Sequence, residues 1–237
     1  MSGRPDRADD LPFPPIRGVI FDFHSTLAHG GEPEAWVEAA WTALGREQGP
    51  AQALGQGVHR ALVDFLDRIW EHARVIDPDS ARDTSAEQHR SVFDATVARA
   101  PGMDPDLGGA LYAAMPGRWR AYDDAVPVLH GLRERGIRVA VLSNVGFDLR
   151  PVLERNGLHE LAGALVLSFE VGMVKPDPEI FRRALDAIGV QPEEALMVGD
   201  SWQDDGAAAA LGIRTLILPR SAGTRHGLDA VLRLVGG

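Results

Sequence analysis

Three short apolar runs in this sequence end in residues that can do chemistry. Val19-Ile20-Phe21 stops at Asp22, Ile137–Leu142 at Ser143-Asn144, and Ala195–Val198 at Gly199-Asp200. Runs of this length and β-branched character, bounded by turn residues, read as buried strands. In an open parallel sheet ligands bind outside the carboxyl ends of the strands, so polar residues at three such ends are candidates to meet. A single Asp after a strand often only caps the next helix. Three ends together argue for more. A fourth piece is Lys175, the one Lys among 24 basic residues, the rest being Arg. An ammonium is a compact point charge and a guanidinium a planar fork, so the exception suits a tight site. Carboxylates can act as nucleophiles or ligate a hard cation, and an ammonium steadies negative charge in a water-poor site.

The elements that must position these residues follow from patterning. After Met1–Pro15, which has no apolar period and reads as a flexible tail, comes the strand Ile16–Phe21. From about Pro33 to Trp119 the spacing turns helical, with Trp36, Ala40, Trp41 and Leu44 on one stripe and Leu62, Phe65, Leu66 and Ile69 on another. Breaks are expected near Gly45–Gly57, Asp77–Asp79 and Pro101–Pro105. Beyond it, helices near Ala125–Arg135, Leu149–Asn156 and Pro178–Ile188 alternate with strands at Ile137–Leu142, Ala164–Leu167 and Ala195–Val198. An Ala-rich helix to Leu211 then leads to a strand at Ile213–Leu218. Such alternation implies an α/β fold, a Rossmann-like parallel sheet with helices on both faces, here carrying a mainly helical insert.

Composition sets the outer limits. With 237 residues, 45% hydrophobic and 24% charged, the chain is globular. Its formal net charge of -10 gives no general attraction to nucleic acid or an anionic membrane, so neither is an expected partner. The absence of Cys excludes disulfides, thiolate metal sites and cysteine nucleophiles. No apolar run is long enough to span a bilayer, and the polar, Pro-rich Met1–Pro15 is unlike a secretion signal, so the expected location is cytoplasmic.

Four ordered segments carry a family resemblance: Asp22-Phe23-His24-Ser25-Thr26-Leu27, Leu142-Ser143-Asn144, Val174-Lys175-Pro176-Asp177 and Val198-Gly199-Asp200-Ser201. In order and spacing they resemble the motifs of the haloacid dehalogenase-like hydrolase superfamily. The resemblance covers residues 16–27 and 120–237, which it implies to be the α/β core, with 28–119 the helical cap inserted between the first and second motifs. The interval from Lys175 to Asp200 is too short for the other kind of cap. By resemblance, Asp22 is the nucleophile and forms an aspartyl-phosphate. Ser143 and Asn144 donate to the phosphoryl oxygens, and Lys175 neutralises Asp22 and the phosphoryl charge. Asp22, the backbone carbonyl of His24, Asp200 and a further acid, Asp205 or Asp204, bind Mg²⁺. The implied activity is phosphomonoester hydrolysis on a small phosphorylated metabolite, and the oligomeric state is left open.

His24 departs from the family pattern, where phosphatases usually carry a second Asp that protonates the leaving group and then activates water. Imidazole, with an unperturbed pKa of ~6.5, can perform both transfers near neutral pH. Two other readings stand beside that one: a spacer in a 2-haloacid dehalogenase, whose halide leaves without a proton, and a non-catalytic phosphate-binding module. The dehalogenases of the family work without metal, and without a cation the acids Asp200, Asp204 and Asp205 would repel Asp22. His29, in the Gly-rich segment after the first motif, reads as a loop residue beside a hinge into the cap, with contact to substrate as the alternative. Trp36, Trp41, Trp70 and Trp119 read mostly as insert core, with one of them a candidate to line the substrate pocket, and Arg118-Trp119-Arg120 as a solvated helix end with a buried Trp. His59, His72 and His89 show no ligand spacing.

Overall fold

The computed structural model describes residues 13–221 and 223–236, so most of the expected tail, residues 1–12, lies outside the described residues. The chain begins with strand β1 (Gly18–Phe21) and a short β2 (Ala28–His29). The insert follows as α1 (Pro33–Ala43), α2 (Pro50–Leu54), α3 (Gln56–Asp67), α4 (Ile69–Ile76), a 3-10 turn at Ala81–Thr84, α5 (Ala86–Val97) and α6 (Pro105–Arg118). Then come β3 (Arg120–Ala121), α7 (Ala125–Glu134), β4 (Arg138–Ser143), α8 (Arg150–Arg155), β5 (Ala164–Leu167) and α9 (Ser168–Val171). The last elements are α10 (Pro178–Ile188), β6 (Ala195–Gly199), β7 (Arg214–Ile217) and α11 (Asp229–Val235).

Five strands form one parallel sheet in the order β5-β4-β1-β6-β7. Phe21 stands opposite Val141 on one side and Val198 on the other. Neighbouring strands lie ~4.8 Å apart, so the residues leaving β1, β4 and β6 emerge side by side. The chain steps from β1 to β4 and β5 in one direction, then crosses to β6 and β7 on the other. The crevice of the sheet therefore opens beside β1, where the connections part.

Alternation along each strand sends neighbours to opposite faces. Val19, Phe21, Val139, Val141 and Val198 pack against Val128, Leu129 and Leu132 of α7 and Val231 of α11. Ile20, Ala140, Leu142 and Met197 pack against Ile180, Phe181, Ala184 and Leu185 of α10. Helix α10 shows why its boundaries were readable. Asp177 accepts from the Glu179 amide, Pro178 opens the helix, and Gly189 ends it at φ 63°. Truncating its buried Phe181 to Ala would cost about 3–5 kcal/mol.

The insert has its own core around Trp36, Leu62, Leu66, Phe93, Leu107 and Leu111. Its chain leaves and re-enters the sheet region through the β2–β3 ribbon, where Ala28 pairs antiparallel with Ala121. Two further contacts seat it. The Ser168 hydroxyl donates to the Asp83 carbonyl at 2.6 Å. His89 of α5 lies directly over Gly146 in the loop after β4, where an added Cβ would fall 2.1 Å from the His89 Cβ.

The structure departs from the sequence expectations in short elements. The expected break at Gly45–Gly57 holds the small helix α2, and the Ala-rich segment before β7 is a 3-10 helix, Gly206–Leu211. The ribbon strands, α9 and α11 had no periodic signal. Ile16 and Arg17 precede β1 rather than belonging to it.

Candidate active site

The floor of the site is the row of strand ends. Asp22 follows β1, and its amide donates to the Val198 carbonyl of β6 at 2.9 Å. A tight turn comes next, closed by the Leu27 and Ala28 amides on the Phe23 carbonyl at 2.9 and 3.0 Å. That turn returns Thr26, whose hydroxyl donates to Asp22 Oδ2 at 3.1 Å. Lys175 Nζ donates to Asp22 Oδ1 at 2.7 Å and to Asp205 Oδ1 at 2.6 Å. With its side chain only 3% exposed, the ammonium places two of its three protons on these carboxylates.

Asn144 makes that placement possible. Its Oδ1 accepts from the Lys175 amide at 2.8 Å and its Nδ2 donates to the Lys175 carbonyl at 3.0 Å. Asn144 lines the cavity while bracing the Lys175 loop; Ser143 is buried at the end of β4 and is not among the lining residues.

Geometry distinguishes the two candidate acids after β6. Asp205 is buried, and its Oδ2 accepts from the Ser201 amide at 3.0 Å. Gly199 leaves room for it, since a Cβ there would fall 2.1 Å from Asp205 Oδ2. Asp204 turns away, accepting from the Ser201 hydroxyl at 2.9 Å and facing Arg74 at 3.6 Å. Asp22, Asp200 and Asp205 bring carboxylate oxygens within 4.8 Å of one another. Asp200 also accepts from Arg220 Nε at 2.7 Å.

The electrostatics follow from burial. Burial pushes the Asp22 carboxyl up to about 7, with Lys175 opposing and Asp205 and Asp200 adding to the rise. Burial alone would lower Lys175, but Asp205 and Asp22 outweigh it and hold the ammonium well above its ordinary range. Burial pulls His24 down to about 4, against the attraction of Asp200 and with help from Arg220 and Arg118. The imidazole is thus neutral at pH 7 and presents an acceptor. The three carboxylates outnumber the two cations bonded to them, Lys175 and Arg220, and their all-oxygen donors fit a hard cation such as Mg²⁺.

The roof comes from the insert. It closes a cavity of about 430 Å³ whose walls include Trp70, Arg82, His89, Arg118 and Trp119. The Trp119 ring lies 5.5 Å from the His24 imidazole and 5.1 Å from Phe23. His89 Nδ1 is 3.0 Å from the Tyr112 hydroxyl, and burial together with Arg82 lowers its pKa to about 4. Trp70 and Trp119 are two of the four Trp of which one was a candidate to line the pocket, whereas Arg82, Arg118 and His89 were not expected in its wall. Arg118, read as solvated, is half-buried there; His89 gave no linear signal because tertiary packing of α4, α5 and α6 brings it there. His29 packs on Tyr122 at 5.1 Å and is not among the lining residues.

Comparison with known proteins bears on the family. The sequence profile of the haloacid dehalogenase-like hydrolases matches residues 16–212. A phosphoserine phosphatase of Thermus thermophilus is 44% identical over 105 residues, 44% of this chain and 42% of that relative, less than half its length. A plasmid-borne phosphoglycolate phosphatase of Cupriavidus necator is 30% identical over 203 residues, 84% of this chain and 79% of that relative. Among solved structures, an L-2-haloacid dehalogenase from Xanthobacter autotrophicus superposes with a TM-score of 0.63 at 22% identity, covering 92% of this chain and 81% of that one. That last likeness speaks for the fold alone. The family profile, the four ordered motifs and the parallel sheet agree: the chain belongs to the haloacid dehalogenase-like hydrolases.

Proposed function

We propose that this hydrolase is a Mg²⁺-dependent phosphomonoesterase that removes phosphate from a small metabolite through an aspartyl-phosphate on Asp22. The observation that carries the reading is the floor itself: Asp22 held by Lys175 and Thr26, with Asp200 and Asp205 grouped beside it. Relatives named as phosphatases support the same choice. Asp22, Asp200 and Asp205, with the His24 carbonyl, would hold Mg²⁺. Such a cation, when bound, offsets the repulsion between a carboxylate and a phosphoryl group.

The chain's own residues do the rest. Thr26 and Lys175 fix the orientation of the Asp22 carboxylate, so that it can attack phosphorus in line as the bond to the leaving oxygen breaks. Lys175 and Asn144 border the phosphoryl group, and Ser143 supports the strand end behind them. His24, neutral and packed on Trp119, takes the proton of the water that hydrolyses the aspartyl-phosphate. A neutral imidazole gives a proton to the leaving oxygen less readily, so esters with good leaving groups should turn over fastest. The helical insert bounds the pocket, which at about 430 Å³ suits a small molecule. No helix among the described residues is long and apolar enough to cross a membrane. A cytoplasmic address is part of the same proposal.

The test is phosphate release from an aryl phosphate and from a panel of metabolite phosphates, with Mg²⁺ and with chelator. Asp22→Asn should reduce turnover by at least about a thousandfold while the fold is retained. Retained turnover in that variant would remove the covalent step. Chloride release from a 2-chloroacid, insensitive to chelator, would point to a dehalogenase instead.

A further inference from the structure

Arg118 is the unusual member of the cavity wall. Three other arginines there are engaged by carboxylates: Arg82 by Asp77 at 3.2 Å, Arg74 by Asp204 at 3.6 Å, Arg220 by Asp200 at 2.7 Å. Arg68 lines the mouth but is exposed to water. Arg118 is half-buried and has no carboxylate within 4 Å among the described residues. A guanidinium has five N–H donors. Here Nη2 donates to the Gly31 carbonyl at 3.0 Å, and Nε is buried with no partner. The group lies over Trp36, its Cζ 4.2 Å from the ring centroid. Burial lowers its pKa to about 10, an effect that Asp67 and Glu32 only partly offset.

A partly desolvated cation without a counter-ion is unfavourable in the free protein and gains when an anion arrives. The catalytic phosphoryl group is not that anion, because the floor supplies Lys175 for it. Arg118 lines the same cavity from the insert rather than from the strand ends, which leaves to it the part of a substrate that remains after phosphate has gone. Its planar fork matches the two oxygens of a carboxylate.

We infer that Arg118 anchors a substrate carboxylate, so that the preferred substrates are small phosphate monoesters bearing a carboxylate a few bonds from the phosphate. The inference rests on the phosphatase reading and specifies its substrate class.

The test compares two esters that differ in the carboxylate alone, the phosphate ester of glycolic acid and ethyl phosphate. In the native protein with Mg²⁺, the kcat/KM ratio should favour the carboxylate ester by tenfold or more. Arg118→Met should collapse that ratio towards unity, and Arg118→Lys, which keeps charge but not the fork, should leave an intermediate ratio. Arg68→Ala should preserve the native ratio. A native ratio near unity, or an unchanged ratio in both Arg118 variants, would overturn the inference. Calorimetric titration of the same two esters onto Asp22→Asn protein gives a readout independent of turnover. A binding preference there that Arg118→Met abolishes would uphold the anchor even if neither ester were hydrolysed, in which case the phosphatase reading alone would fall. Equal binding of both esters would remove the anchor.

Discussion

The floor and the roof of this cavity are built by different means. On the floor, side chains leave the ends of β1, β4 and β6 or the loops beside them, and hydrogen bonds fix nearly every one. Lys175 joins Asp22 to Asp205, Asn144 grips both sides of the Lys175 peptide, and the Ser201 amide holds Asp205. On the roof, Trp70 and His89 come from α4 and α5 and Arg118 and Trp119 from the end of α6, and they are set mainly by packing on aromatic rings. A polar network with strand-end geometry tolerates little change and suits a fixed reaction. A packed surface of aromatic and basic groups can be altered piece by piece, and suits selection among substrates.

Breaking the floor should have the larger effect. Lys175→Met would leave Asp22 and Asp205 buried without their shared ammonium, a change expected to lower stability by about 3–5 kcal/mol and to abolish turnover. A urea denaturation midpoint close to that of the native protein would mean that the network orients the floor without holding it together.

Acid should act on the roof next. In the unfolded chain His89 takes a proton near its ordinary pKa, but in the folded protein it does so only near about 4. Protons therefore favour the unfolded state as pH falls below ~6.5, and this residue should remove up to about 3 kcal/mol of stability by pH 4. Asp83, raised to about 6 by its own burial despite Arg82, acts in the opposite sense within that window. The measurement is therefore a difference: His89→Gln should lose less stability than the native protein between pH 7 and pH 4.5. Parallel losses would show that the imidazole reaches water.

The smallest effect tests how closely roof and floor are joined. Gly146→Ala would drive a methyl into His89 and should cost about 1–3 kcal/mol by overpacking. It should also make the insert more open to limited proteolysis than the sheet region. Uniform susceptibility would mean that His89 yields without lifting the helices.

The same division explains what the sequence made readable. Asp22 and Asp200 end apolar runs of strand length, and Lys175 stands out by rarity, so each could be found without the fold. Helix α10 carried its own cap, first-turn Pro and terminal Gly. The choice between Asp204 and Asp205 needed coordinates, because adjacent residues on a turn point in different directions while their sequence signals are equal. Arg118 looked like a solvated helix end because nothing in its neighbours says that Gly31 and Trp36, more than eighty residues earlier, close over it. The β2–β3 ribbon has two pairs of residues, too few for any period to register.

That ribbon has a consequence for how such a chain can be rebuilt. Its paired residues, Ala28 opposite Ala121 and His29 opposite Arg120, bring the two ends of the insert together. Facing residues in an antiparallel pair stand ~5 Å apart, a gap that a hairpin turn of two to five residues can close. The ribbon therefore marks α1–α6 as a cassette to test: excising or exchanging the segment it closes should leave the register of the strands beneath unchanged.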